Sequence, residues 1–164
     1  MTPAMVEHAK QAARAAGLAG IVEVHQGIYE SLPVADASVD VVISNGVLNL
    51  APDKVEVLNE IHRVLKPGGR SFLADVVVQR ELSLEARSNP ELWAACIAGA
   101  LVESELPQVT VRAGLVDGRV VRRFNCFYDT TAEAKVAKDL FIQSVNFVAR
   151  KAYDKPMRRQ GFLF

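Results

Sequence analysis

The chain has 164 residues, half of them apolar, which suits one compact domain with a real core and is too short for two ordinary ones. Its 19 Lys and Arg balance 19 Asp and Glu to a formal net charge of zero, so the basic excess that a nucleic-acid groove or an anionic membrane surface demands is missing. No 18 consecutive residues stay apolar, and the N-terminus MTPAMVEHAK mixes acids and bases where a signal peptide has a greasy centre, which together predict a soluble, cytoplasmic protein.

In chain order, Thr2 caps a helix with Pro3 at its first position. Val6, Ala9, Ala13 and Ala16 mark one face of it, and Gly17 stops it. Ile21 to His25 alternates as a strand. Val39 to Ser44 (VDVVIS) is a short β-branched run of the kind that forms buried parallel strands. A second helix starts near Pro52, carries Val55, Leu58, Ile61 and Leu65 at helical spacing, and is broken by the turn Lys66-Pro67-Gly68-Gly69. Strand Ser71 to Val78 follows. Pro90, after a cap at Ser88 or Asn89, opens a helix with Leu92, Trp93, Cys96, Ile97 and Ala100 on its apolar side. Two strands, Gly118 to Phe127 and Phe141 to Lys151, flank a short helix at 132–138. The alternation predicts an α/β sheet with helices on both faces, right-handed crossovers and an antiparallel strand pair at the end. There is no repeat, low-complexity tract or linker, so the prediction is one domain over residues 1–164.

Three strings say more than the periodicity. Leu32-Pro33-Val34-Ala35-Asp36-Ala37-Ser38-Val39-Asp40-Val41-Val42-Ile43-Ser44-Asn45, then Asn49-Leu50-Ala51-Pro52-Asp53-Lys54, then Arg63-Val64-Leu65-Lys66-Pro67-Gly68-Gly69-Arg70 resemble the middle of class I S-adenosylmethionine-dependent methyltransferases in wording, order and spacing. Within that family, Ser44 to Leu50 and Cys96 to Ala100 are most similar to strings of the arsenite methyltransferases. The resemblance covers residues 1 to about 105 strongly; the terminal strands match the family's last hairpin in layout. It implies a Rossmann-like sheet. It also implies that the family's first two strands, with their Gly-rich turn and acidic residue, precede the point where Met1 begins. The expectation is therefore a truncated sheet whose strand Ile21 to His25 has lost its neighbour. An unpaired strand leaves amides and carbonyls unsatisfied, so a repaired sheet or a strand-sharing homodimer is expected.

The same resemblance places S-adenosylmethionine beside two loops at the carboxyl ends of parallel strands, where open α/β sheets bind ligands. Gly27, Ile28, Tyr29 and Glu30 fall in the first loop, next to the adenine; Asn45, Gly46 and Val47 fall in the second, next to the methionine part. The competing reading makes Ile28 and Tyr29 packing residues and Asn45 a cap. Cys96 stands where arsenite methyltransferases keep a metalloid-binding thiolate, and Cys126 is a second candidate, trivalent arsenic being a soft ion that favours thiolates. Each thiol also reads as a small core side chain. The cysteines are 30 residues apart with no Cys-x-x-Cys, and His8, His25 and His62 have no ligand spacing, so no metal site is predicted. Asp75, after a strand, either faces the site mouth or closes a turn. Two functional readings follow. One is a methyltransferase acting on a small molecule. The alternative is a non-catalytic remnant of the fold serving as a self-association or protein-interaction module.

Overall fold

The computed structural model describes residues 2–125 and 142–153. Helix α1 (Pro3–Ala15) begins as its sequence demands: Thr2 is extended and its hydroxyl accepts from the Met5 amide at 3.3 Å. Beyond Gly17, in the left-handed region at φ +71°, the chain forms turns and no strand. Ile21 to His25 is irregular, with Ile21 81% exposed, which corrects the predicted strand. A β-strand persists only where a neighbour takes its backbone groups, and this stretch has no strand neighbour among the described residues.

Strand β1 (Val39–Asn45) leads through a single 3₁₀ turn at Leu48–Leu50 to helix α2 (Lys54–Val64), where Asp53 caps the Val55 and Glu56 amides. The helix ends at Val64. The Lys66 to Gly69 segment, expected as a turn, is the start of strand β2 (Leu65–Val78), which bulges against β1 between Val39 and Val41. Two five-residue helices follow, α3 (Leu84–Ser88) and α4 (Pro90–Ala94), the latter capped by Asn89. The predicted helix through Cys96 therefore stops at Ala94, and Cys96 takes a left-handed φ of +62°. Strand β3 (Leu101–Val102), a 3₁₀ turn, helix α5 (Leu106–Arg112), strand β4 (Leu115–Asn125) and strand β5 (Ile142–Lys151) complete the order. The helix expected at 132–138 lies outside the described residues.

The sheet runs β1-β2-β5-β4, with β3 beside the end of β2. Pairings β1–β2 and β2–β3 are parallel; β2–β5 and β5–β4 are antiparallel. The predicted antiparallel ending is thus present. Alternation along β2 and β5 buries Leu73, Val77, Val145 and Phe147 against Leu58 and Ile61 of α2 and Leu106 and Val109 of α5. A smaller cluster joins Val78, Leu82, Ile97, Ala100 and Ile142. The opposite sheet face departs from the prediction of helices on both sides: Val41, Ile43, Phe72 and Val121 remain exposed there, and α1 buries none of its own residues.

Candidate functional site

Parallel strands β1, β2 and β3 end on the same side of the sheet, and the buried Ser44 and Asn49 lie there. After β1 the chain turns at Gly46, whose φ of +65° favours glycine. A side chain there would meet nothing within 4 Å, so the turn borders open space. Asp75, one residue past the last β1–β2 pair, accepts from the Asn49 amide at 3.1 Å and from Asn49 Nδ2 at 2.9 Å. It closes the 46–50 turn. The buried Asn49 side chain also donates to the carbonyls of Val76 (2.7 Å) and Cys96 (3.0 Å), tying three segments together. Lys54 Nζ donates to the carbonyls of Asn49 and Ala51 at 3.2 and 2.6 Å and stands 5.7 Å from the centre of the Trp93 ring.

Burial sets the proton affinities. It raises the Asp75 carboxyl above the usual carboxylate range against the pull of its amide donors and of Lys54. Burial lowers the Lys54 ammonium, with Asp75 opposing. Burial, then the Asp75 charge, raises the Cys96 thiol. That thiol is held neutral and donates to the Gly46 carbonyl at 3.5 Å, the behaviour of a packed sulfhydryl and not of a free thiolate.

The 27–38 loop reaches the same place from below. Arg63 on α2 donates to the carbonyls of Leu32 (3.2 Å) and Val34 (2.8 Å) and pairs with Asp36, while Glu60 accepts from the Leu32 amide at 2.7 Å and from Arg63. This clamp fixes the loop. It sets the Tyr29 ring against the core, with its hydroxyl buried near the Ser44 hydroxyl, whose hydrogen bonding opposes the rise of the phenol. Burial raises the Tyr29 phenol first of all. Tyr29 is thus a packing residue with a buried hydroxyl.

Of the residues singled out from sequence, Tyr29, Gly46 and Cys96 converge on the strand ends. Ile28 and Val47 are exposed apolar side chains on the two loops, Asn45 is exposed, and Gly27 and Glu30 are partly buried on the first loop, with Gly27 close-packed on Pro33. Cys126 lies outside the described residues. The sequence reading gives Asn49 and Lys54 no role, although both stand in the quoted strings, and places Trp93 only on an apolar helix face. An Asn between two leucines, in a segment otherwise apolar, was the available signal. Among the described residues no group of three His, Cys, Asp or Glu is arranged to hold a metal ion, and no helix is long and apolar enough to cross a membrane.

A mixed sheet with this strand order, its parallel strands ending together at the Asn49–Asp75 network, is a Rossmann-like α/β fold. The model of a methyltransferase domain matches residues 1–114, so the chain belongs to the S-adenosylmethionine-dependent methyltransferase family that its strings resemble. It is 44% identical over 91 residues to the arsenite methyltransferase of Aquipseudomonas alcaligenes, covering 56% of this chain and 26% of that one. The arsenite methyltransferase of Halobacterium salinarum is 41% identical over 114 residues, 70% of this chain and 29% of the relative. Among solved structures it is similar to an arsenic(III) S-adenosylmethionine methyltransferase from Chlamydomonas reinhardtii, with a TM-score of 0.72 and 34% identity over 96% of this chain and 54% of the other. The chain thus spans between about a quarter and a half of the length of these relatives.

Proposed function

We propose that this chain binds S-adenosylmethionine across the 27–30 and 45–47 loops and serves methyl transfer to a small molecule. The observation that supports it is the open Gly46 turn at the end of β1, where a side chain would meet nothing within 4 Å. That turn offers an approachable backbone at a parallel strand end. The residues present fit the cofactor: Ile28 and Val47 supply apolar contact, while Asn45 and the Gly46 backbone supply polar groups at the strand ends. When bound, the cofactor supplies an electrophilic sulfonium methyl. Transfer then asks the protein for alignment and exclusion of water more than for acid or base. Asp75 and Asn49 serve that end by holding the 46–50 turn rigid.

The acceptor that the relatives favour is trivalent arsenic, and Cys96 is the thiol of this chain next to the turn. Its raised proton affinity means that arsenite binding there requires displacement of the thiol proton and loss of the bond to Gly46. Cys96→Ser is expected to abolish arsenite binding and leave the circular dichroism spectrum unchanged; unaltered binding by the variant rejects this acceptor.

Isothermal titration of the purified chain with S-adenosylhomocysteine tests the main reading. Saturable binding at one site per chain, on the order of micromolar, is the expected result. A folded chain that gives no saturable heat overturns it and returns the fold to the non-catalytic association module.

A further inference from the structure

We propose that Lys54 is a positioning residue of the site: its ammonium clamps the segment from Gln79 to Gly99 onto the 46–51 turn, so that the turn meets a ligand in one conformation. The clamp stands on contacts within residues 46–99. Its use in holding the methionine part of S-adenosylmethionine rests on the reading proposed above. The 3₁₀ turn at Leu48–Leu50 takes the carbonyls of Val47 and Leu48 for its own bonds. Those of Asn49 and Ala51 are left at its end, as the last carbonyls of a helical turn are. Lys54 Nζ donates to both, at 3.2 and 2.6 Å. The same ammonium stands 5.7 Å from the centre of the Trp93 ring on α4, within reach of cation–π attraction. One compact charge with three donors thus joins the turn to the segment.

Gly99 shows from the other side that this fit is written into the sequence. It is not among the glycines with positive φ, so its backbone conformation does not demand glycine. Its position does. A Cβ there would stand 2.0 Å from the Asn49 carbonyl oxygen and 3.1 Å from Lys54 Nζ. The missing side chain lets the segment's backbone lie against the very carbonyl that Lys54 holds. Two more bonds cross the same seam: Asn49 Nδ2 donates to the Cys96 carbonyl at 3.0 Å, and the Cys96 thiol donates to the Gly46 carbonyl at 3.5 Å. Few buried apolar side chains anchor the segment, chiefly Leu82 and Ile97, so these polar contacts decide how firmly it sits on the turn.

Hydrogen exchange of Lys54→Met tests the clamp without any cofactor. Methionine keeps an unbranched stem and removes the charge and its donors. The amides of Trp93 and Cys96 bond to the carbonyls of Asn89 and Trp93, so both report on the segment. Their exchange is expected to quicken about tenfold, the loss that hydrogen bonds from a charged group predict, with Leu58 and Phe147 changed by less than about twofold. Unchanged exchange at Trp93 and Cys96 overturns the clamp. Equal quickening at Leu58, in the second turn of α2, or at Phe147, in the core, also overturns it, because the substitution then acts by loosening the helix or the whole fold. Gly99→Ala leaves Lys54 in place and wedges a methyl group against the Asn49 carbonyl. It is expected to give the same selective quickening, and its absence there overturns the proposal as well.

Calorimetric titration with S-adenosylhomocysteine then tests what the clamp is for. Lys54→Met is expected to bind about tenfold more weakly than the wild type, since the variant must first order the turn and the segment that the clamp holds ready. Selective quickening of exchange with unchanged affinity rejects the positioning role. A wild-type chain that gives no saturable heat rejects the cofactor reading, and the exchange results alone then judge the clamp.

Discussion

At the scale of the residue, Asp75 shows how a single side chain serves the turn and burdens the fold at once. It accepts from two donors of Asn49 and from its neighbour's amide at Val76, yet burial leaves it with a pKa above the ordinary carboxylate value of 3.8. Because the folded chain holds this proton to a higher pH than the unfolded chain, the ionised group costs stability above its folded pKa. That cost is relieved as the pH falls through the folded pKa towards 3.8. Asp75→Asn keeps an oxygen for the Asn49 amide and removes the titration. Its stability relative to wild type is therefore expected to rise with pH across that window and then level off, as read from urea midpoints at a series of pH values. A difference that is constant with pH would show that Asp75 does not titrate in the fold. The reading of Asp75 from sequence left two roles open, and the structure assigns the turn. No local pattern tells an acid within a strand what will pack on it from 26 residues earlier.

Among the elements, those whose ends are fixed by neighbours in sequence were the legible ones. Thr2 before Pro3 and Asn89 before Pro90 carried their helix starts in two residues each, because a cap needs only a hydroxyl or amide and the next turn's free amides. Strand Ile21 to His25 failed for the opposite reason: its alternation is local but its hydrogen bonds would have to come from elsewhere. Helix α5 went unread because Pro107 looks like a break, whereas it occupies the first turn, where its missing amide costs nothing. The link from that region to the sheet edge is electrostatic. Glu103, on the 3₁₀ turn before α5, accepts from Arg123 of β4 and from Gln79 at 3.2 Å, and the Arg123 hydrogen bonds hold its carboxyl below the usual range. A depressed carboxylate adds stability that is present above its unfolded pKa and is lost as the pH falls through the folded one. The wild-type Tm is therefore expected to drop below about pH 4.5 more steeply than that of Glu103→Gln, with the two curves converging in acid. Parallel curves in thermal melts from pH 3 to pH 7 would remove the pair from the acid response.

For the whole molecule, the division of the core into a large cluster and a small one has a consequence for how it opens. The large cluster binds β2, β5, α2 and α5 into one body, while the segment from Gln79 to Gly99 is anchored by few buried apolar side chains, chiefly Leu82 and Ile97. Helices α3 and α4 bury none of their own residues, and at five residues each they are far too short to be stable without tertiary support. Stability is graded across a fold according to such anchoring, and weakly anchored segments open without the rest. Amides of α3 and α4 are therefore expected to exchange through a local opening that responds little to denaturant, while those of β2 and β5 wait for global unfolding. Ile97→Ala should sharpen the contrast. It removes about 2–4 kcal/mol of packing from the small cluster, so exchange at Trp93 and Ala95 accelerates while protection at Leu58 and Phe147 falls less. Equal acceleration at all four sites would mean that the two clusters unfold as one. The distinction bears on the site, because Asn49 donates to the Cys96 carbonyl and Lys54 stands over Trp93. The weakly anchored segment thus walls one side of the 46–50 turn. A ligand that touches this wall and the 46–50 turn together raises the cost of the local opening, and slower exchange at Trp93 on addition of S-adenosylhomocysteine is the signature of that coupling.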